Sequence, residues 1–204
     1  MTEVPAVAPL ILGSASPHRR RLLQAAGLTF KVVPAAIDEA AIKRALAAEG
    51  RDGGGVASRL AGLKAQAVSA RFSEAMVIGA DQVLECEGRL FDKPGQLANA
   101  RLQLQRLRGR PHHLHTAVAL AHQGGIVWQH CETASLVMRP FSDAFLESYL
   151  SAAGETIWGT VGAYEIEGRG IQLFASVRGD ASSIIGLPLL PLLTELRARG
   201  MIAA

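Results

Sequence analysis

Ser14, Ser16 and the arginines Arg19, Arg20 and Arg21 crowd into one short stretch between Leu10 and Leu23. An apolar run there gives way to a Gly/Ser turn and then to Ser16-Pro17. Ser16 is suited to cap a helix, and Pro17 to open it, because proline has no N–H to leave unpaired. The charge is unusual. A helix N-terminus already carries partial positive charge and favours acidic side chains, so three arginines in that turn are best accommodated around an anion. Free N–H groups, two hydroxyls and a guanidinium converging on one point would bind phosphate. Helical spacing places Arg19 on the face of Leu22, Leu23 and Ala26, and Arg21 well round the cylinder. Arg19 is therefore the candidate ligand, and Arg21 is expected in solvent. Strand, Gly/Ser turn and helix also recur throughout α/β proteins, so this stretch alone leaves an ordinary helix start open.

Further groups could act on the same anion. Lys64 lies inside an apolar helical stripe of Val56, Leu60, Leu63 and Ala67. It can snorkel along its stem or reach an anion in a cleft, and the two readings stand level. Asp81 ends the apolar run Met76–Ala80, and open α/β sheets carry ligand chemistry at the carboxyl ends of strands. Its structural alternative is a strand-end turn residue. Lys93 is held just before the rigid Pro94, or is simply a solvated loop lysine. Glu39, beside the cap residue Asp38, reads on its own as a first-turn helix acid. His112, His113 and His115 invite a metal, but no cysteine or acid lies near them in sequence, and the segment continues as a plain strand. The loop Gly162–Gly170 holds three glycines, which permit close backbone approach to a ligand, without dinucleotide-fingerprint spacing.

These side chains need a scaffold, and the pattern supplies an α/β one. Strands are expected at Leu10–Leu12 and around Phe30–Val33, followed by an alanine-rich helix to about Glu49. Arg51-Asp-Gly-Gly-Gly reads as a loop. A strand ends on Asp81, and a hairpin from Gln82 to Phe91 turns at Glu87-Gly88. A helix spans Leu97–Leu107, a long hairpin pair ends near Arg139 with Thr133–Arg139 as its return strand, and a helix runs from Ser142 to about Ala153. A strand at Ile171–Val177 and a closing helix from Leu187 to Gly200 complete the chain. With 204 residues, 49% of them hydrophobic, residues 1–204 are expected to form a single domain. No apolar run reaches membrane-spanning length, and the N-terminus lacks the pattern of a secretory signal. Cys86 and Cys131 are too few and too far apart for a disulfide framework, so a cytoplasmic protein without membrane partners is expected. The net charge of +3 and 5% aromatic content argue against a stable nucleic-acid partner.

Taken together, Ser14-Ala-Ser-Pro-His-Arg-Arg, Asp38-Glu39, Lys64-Ala65, Gly79-Ala-Asp-Gln-Val, Lys93-Pro94, Glu167-Gly168 and Gly186-Leu-Pro stand in the order of the Maf family. The chain resembles these nucleoside triphosphate pyrophosphatases, also called septum-formation-inhibitor-like proteins, from about Pro9 to Gly200. The resemblance implies an α/β fold similar to the inosine triphosphatases, with an elongated mixed β-sheet, flanking helices and two lobes around a central cleft. Two positions depart from the family pattern: Leu63 stands where Glu is frequent, and Asp92 where Gly precedes Lys-Pro. Neither removes a group the chemistry needs, though they could alter the charge of the cleft.

The resemblance implies hydrolysis of a nucleoside triphosphate to its monophosphate and pyrophosphate, which keeps modified nucleotides out of nucleic acids. Arg19, Lys64 and Lys93 would clamp the phosphates with Ser14. Glu39 and Asp81 would hold a divalent metal, Mg²⁺ or Mn²⁺, and activate water, with Asp81 favoured as proton acceptor. His18, Gln82 and Glu167 fall where the family separates a 7-methyl-GTP branch from a dTTP/UTP branch. Gln82 and Glu167 match the former, while His18 stands where that branch commonly has Trp. A carboxylate at 167 can accept from both guanine N1–H and the exocyclic amine. The alternatives are a dTTP/UTP pyrophosphatase, or a non-catalytic regulator of cell division that acts by binding. A homodimer is a further implication of the resemblance.

Overall fold

A computed structural model of the chain describes residues 8–203. Strand β1 (Leu10–Leu12) leads into helix α1 (Pro17–Ala25), then β2 (Lys31–Val32), α2 (Glu39–Ala48), α3 (Gly53–Ser69), β3 (Met76–Cys86) and β4 (Arg89–Phe91). Helix α4 (Leu97–Leu107), β5 (Pro111–His122), β6 (Gly125–Met138), α5 (Asp143–Ala153), β7 (Phe174–Arg178), α6 (Ala181–Ile185) and α7 (Leu189–Ala198) follow. The seven strands form one mixed sheet in the order β2-β1-β3-β5-β6-β7, with β4 beside β3. The α/β class, the mixed sheet and the flanking helices are those expected.

Strand β3 is the axis of the molecule. Along one edge β5 pairs with it antiparallel from Val77 to Glu85. Along the other edge, parallel β1 reaches only to Ile78, and antiparallel β4 starts only at Leu84. Between them the edge of β3 is left open over the residues around Asp81. An open edge presents unpaired backbone groups, and one of them, the Ala80 carbonyl, is taken up by the Arg19 guanidinium at 2.7 Å.

The expectation that a strand ends on Asp81 is therefore corrected. Asp81 lies in the middle of β3, opposite Ala117 of β5. The expected strand and the first arm of the expected hairpin are one continuous element, because the β5 pairing carries the ladder past the polar Asp81-Gln82 step. The hairpin turn stands as read, with Glu87 and Gly88 both at positive φ. The return strand β6 is longer than Thr133–Arg139 and begins at Gly125. The segment expected as a strand from Ile171 is a 3₁₀ turn to Leu173, and the strand covers only Phe174–Arg178.

Arg51–Gly55 is also corrected, because the glycines open α3 rather than form a loop. Asp52 caps the helix by accepting the Gly55 N–H at 2.8 Å, and the Glu85 carboxylate accepts the Gly53 N–H at 3.0 Å. A Cβ at Gly53 would lie 2.4 Å from the His115 ring, so glycine lets the helix start against β5. Gly79 does the same farther along α3: a Cβ there would stand 2.2 Å from the Ala61 carbonyl. That close approach of α3 to β3 is what brings Lys64 to Asp81. Val56, Ala57, Leu60, Ala61 and Ala65 of α3 pack fully buried against Val83, Ala117, Ala119 and Ala121. On the opposite side, α4 and α5 cover Leu84, Leu114 and Leu136.

Candidate active site

The gap in the β3 edge opens into a cleft of about 1050 Å³, large enough for a nucleotide with its phosphates. Ser14, His18, Arg19, Glu39, Lys64, Asp81, Gln82, Lys93 and Glu167 all line it. The structure thus brings together every site residue expected from the sequence, from segments far apart in the chain.

At the start of α1, the Ser16 hydroxyl caps by accepting the Arg19 N–H, with Pro17 in the first turn. Helical phase turns Arg19 inward, where it is 8% exposed. Its Nε donates to the Gly186 carbonyl at 2.9 Å, and one terminal nitrogen donates to Ser14 Oγ at 3.0 Å as well as to Ala80. One guanidinium thus ties the β1–α1 turn, the open edge of β3 and the end of α6 together. Burial lowers its pKa, and the Asp81 and Glu39 charges oppose that shift. Arginine starts so high that it stays charged. Its first duty is to hold the wall of the cleft. Arg21 is exposed as expected, yet it also lines the cleft and donates to Glu167 at 2.5 Å.

Lys64 lines the cleft from α3. It is 6% exposed, and its ammonium lies 2.6 Å from Asp81 Oδ1 and 2.9 Å from Glu39 Oε2. Asp81 is equally buried, and its other oxygen, Oδ2, has no hydrogen-bond partner. An unpaired buried carboxylate oxygen is costly unless something else occupies it. Glu39 reaches this point from the first turn of α2, which Asp38 caps through the Ala41 N–H at 2.9 Å. Glu39 and Asp81, both on the Lys64 ammonium, are the hard oxygen donors here that could hold a divalent cation, since Mg²⁺ takes one or two carboxylates together with phosphate oxygens and water. Among the described residues no cluster of three or more His, Cys, Asp or Glu could hold a metal by itself.

Lys93 borders the cleft from the loop after β4. Partial burial is the main cause lowering its pKa, with repulsion from Arg19 and Lys64 adding to it and Glu39 and Asp81 opposing. At the other end, the 160s loop presents Glu165 and Glu167 to α1. His18 Nε2 stands 3.3 Å from Glu165, beside the Arg21–Glu167 pair. An apolar wall of Leu114, Val161, Tyr164, Ile166 and Ile184 lies between. Gln82 turns its amide nitrogen away from this space, to Thr116 Oγ1 and to the Ser183 and Ile184 carbonyls. It shapes the wall of the cleft.

The histidines take structural partners, in keeping with the plain strand. His112 is fully buried against the Tyr164 hydroxyl at 2.9 Å, and burial pushes its pKa down to about 4. His113 meets Ser135 and His115 meets Thr133. Sequence reasoning missed Lys43 and Glu165. Lys43 lies one helical turn after Glu39 on α2 and therefore shares its face, a signal that i,i+4 spacing carries.

A family model described as Maf-like protein matches residues 9–199. A nucleoside triphosphate pyrophosphatase of Granulibacter bethesdensis is 50% identical over 92% of this chain and 95% of its own length. A 7-methyl-GTP pyrophosphatase of Rhizobium meliloti is 46% identical over 96% of this chain and 98% of its own. A solved nucleoside-triphosphatase/dITP/XTP pyrophosphatase of Mycobacterium abscessus aligns over 95% of both chains at 16% identity and a TM-score of 0.42, too loose a likeness to carry an argument. Among the described residues no helix is long and apolar enough to cross a membrane.

Proposed function

The chain belongs to the Maf family, and from that premise we propose that its cleft hydrolyses nucleoside triphosphates between the α- and β-phosphates to give the monophosphate and pyrophosphate. The observation that carries this reading is the unpartnered Asp81 Oδ2, buried beside Lys64 and Glu39 at the open edge of β3. A hydrolase gives that oxygen a task, as the acceptor of a water's proton.

Phosphoryl transfer asks mainly for positioning and charge stabilisation. Ser14, Lys93 and the remaining guanidinium nitrogen of Arg19 hold phosphate oxygens. Lys64 fixes Asp81 and Glu39 in one orientation and offsets their mutual repulsion. Asp81 Oδ2 orients the attacking water and takes its proton. Glu39 and Asp81 are the residues that would hold Mg²⁺ or Mn²⁺. When bound, the ion supplies charge neutralisation and Lewis acidity at the phosphates. Chelation with EDTA is expected to abolish pyrophosphate release, and Mg²⁺ or Mn²⁺ to restore it. Full activity in chelator would remove the metal from this account.

The nucleoside end favours a purine, with 7-methyl-GTP among the better substrates. The Glu165 and Glu167 carboxylates face the cleft from the 160s loop. A carboxylate accepts two adjacent donors from guanine, whereas uracil and thymine offer one N–H between two carbonyls. His18 offers a smaller face than an indole for stacking, so selection is less sharp. The test is kcat/KM for 7-methyl-GTP, GTP, dTTP and UTP on wild type and Glu167→Gln. The expected result is a guanine preference that the substitution erodes. A wild-type preference for dTTP or UTP would overturn the base assignment and leave the pyrophosphatase reading standing.

A further inference from the structure

The lining of the cleft carries as many carboxylates as cationic side chains, an odd balance for a site that must admit a polyanion. Most of its cations are already committed. Arg19 is bound to backbone carbonyls, Lys64 to Asp81 and Glu39, and Arg21 to Glu167. Lys43 is different. It sits on α2 one turn after Glu39, lines the cleft, and has only 20% of its side chain exposed. Its one ion-pair partner among the described residues is Asp92, at 3.1 Å, and Asp92 is 81% exposed. A carboxylate so open to water holds a cation weakly, since solvent screens the pair and ordering the two side chains opposes it. Asp92 also immediately precedes Lys93, so the pair spans from α2 to the loop that carries another phosphate-facing lysine.

We propose that Lys43 is a further phosphate-binding residue of this cleft, held in place by Asp92 until a polyphosphate displaces that carboxylate. The exchange conserves charge locally: the Lys43 ammonium leaves one oxyanion for another, and Asp92 is released to solvent, where it is already largely hydrated. Phosphate is the better partner because its oxygens carry more charge and lie in a cleft already lined by Lys93 and Arg19, where water screens the contact less than at the exposed Asp92. Asp92 thus acts as a built-in competitor. The two members of one ion pair then have opposite effects on binding. A purely structural strap would make them act alike.

This inference rests on the pyrophosphatase reading only for its substrate; the binding itself can be measured without turnover. Inorganic tripolyphosphate would be titrated calorimetrically into wild type, Lys43→Met, Lys43→Arg and Asp92→Asn in magnesium buffer, alongside KM for GTP. Lys43→Met is expected to weaken tripolyphosphate binding about tenfold, as loss of one charge-assisted contact does, and Asp92→Asn to tighten it about threefold. Lys43→Arg should restore most of the loss, and melting temperatures should stay close to wild type. KM should move in the same directions with kcat changed less. Shifts of the same sign in Lys43→Met and Asp92→Asn, or no shift in either, would overturn the inference. Opposite shifts in tripolyphosphate binding without any nucleotide hydrolysis would uphold it and sink the pyrophosphatase reading instead.

Discussion

Asp81→Asn is expected to lower kcat by roughly 10²–10³-fold while the protein stays folded, the usual cost of losing one preorganised charged group. The substitution keeps the shape of the side chain and one oxygen to accept from Lys64, which lies 2.6 Å from Asp81 Oδ1. What it removes is the second oxygen, the buried and unpartnered one, which the proposed mechanism uses as its proton acceptor. Asn cannot take a proton from water, and its amide N–H₂ turned toward a phosphate or a cation offers a donor where an acceptor is needed. Single-turnover kinetics and a thermal melt on the same preparation separate the two effects. A variant keeping more than about a tenth of wild-type kcat would contradict an essential proton acceptor.

Arg19→Ala is expected to damage both stability and catalysis. Its guanidinium serves Ser14, the Ala80 carbonyl and the Gly186 carbonyl, all within 3.0 Å. Truncation leaves these acceptors facing a cavity in the wall between β1, β3 and α6. Each buried acceptor left unpaired costs about 1–3 kcal/mol, with water recovering part of it. A net loss of about 3 kcal/mol in a chain of this size lowers Tm by roughly 6–12 °C. Because the same side chain holds Ser14 and presents its last nitrogen to the cleft, KM should rise and kcat fall together. Arg21→Ala removes an ion pair whose members are 58% and 44% exposed, so Tm should hardly move and kcat should change far less. Equal losses of stability and kcat from the two variants would show that the helical phase of α1 is wrong.

The contrast between those arginines shows what the sequence carried. The Ser-Pro start of α1 and the apolar stripe through Leu22 and Leu23 set the phase of the helix, and Arg19 is buried as that phase requires. Local signals of this kind also placed α4 at Leu97–Leu107, the Glu87-Gly88 turn and the Asp38 cap. The open edge of β3 was not legible, because it arises from where β1 stops and β4 starts, two pairings that no local pattern encodes. Asp81 consequently read as a strand end when it is a mid-strand residue beside a missing neighbour. The glycines of 53–55 read as a breaker because their reason lies across the fold, in the ring of His115 and the carboxylate of Glu85. Lys43 and Glu165 escaped notice for a related reason. On a helix or loop surface a charged residue reads as solvated until the opposite wall of the cleft is in place.

The central claim is the position of the cut, and the products report it directly. Purified protein incubated with GTP or 7-methyl-GTP and Mg²⁺ should yield the nucleoside monophosphate and inorganic pyrophosphate in equal amounts, resolved by ion-exchange chromatography or ³¹P NMR. Nucleoside diphosphate with inorganic phosphate, or intact triphosphate across the whole nucleotide panel, would contradict the account.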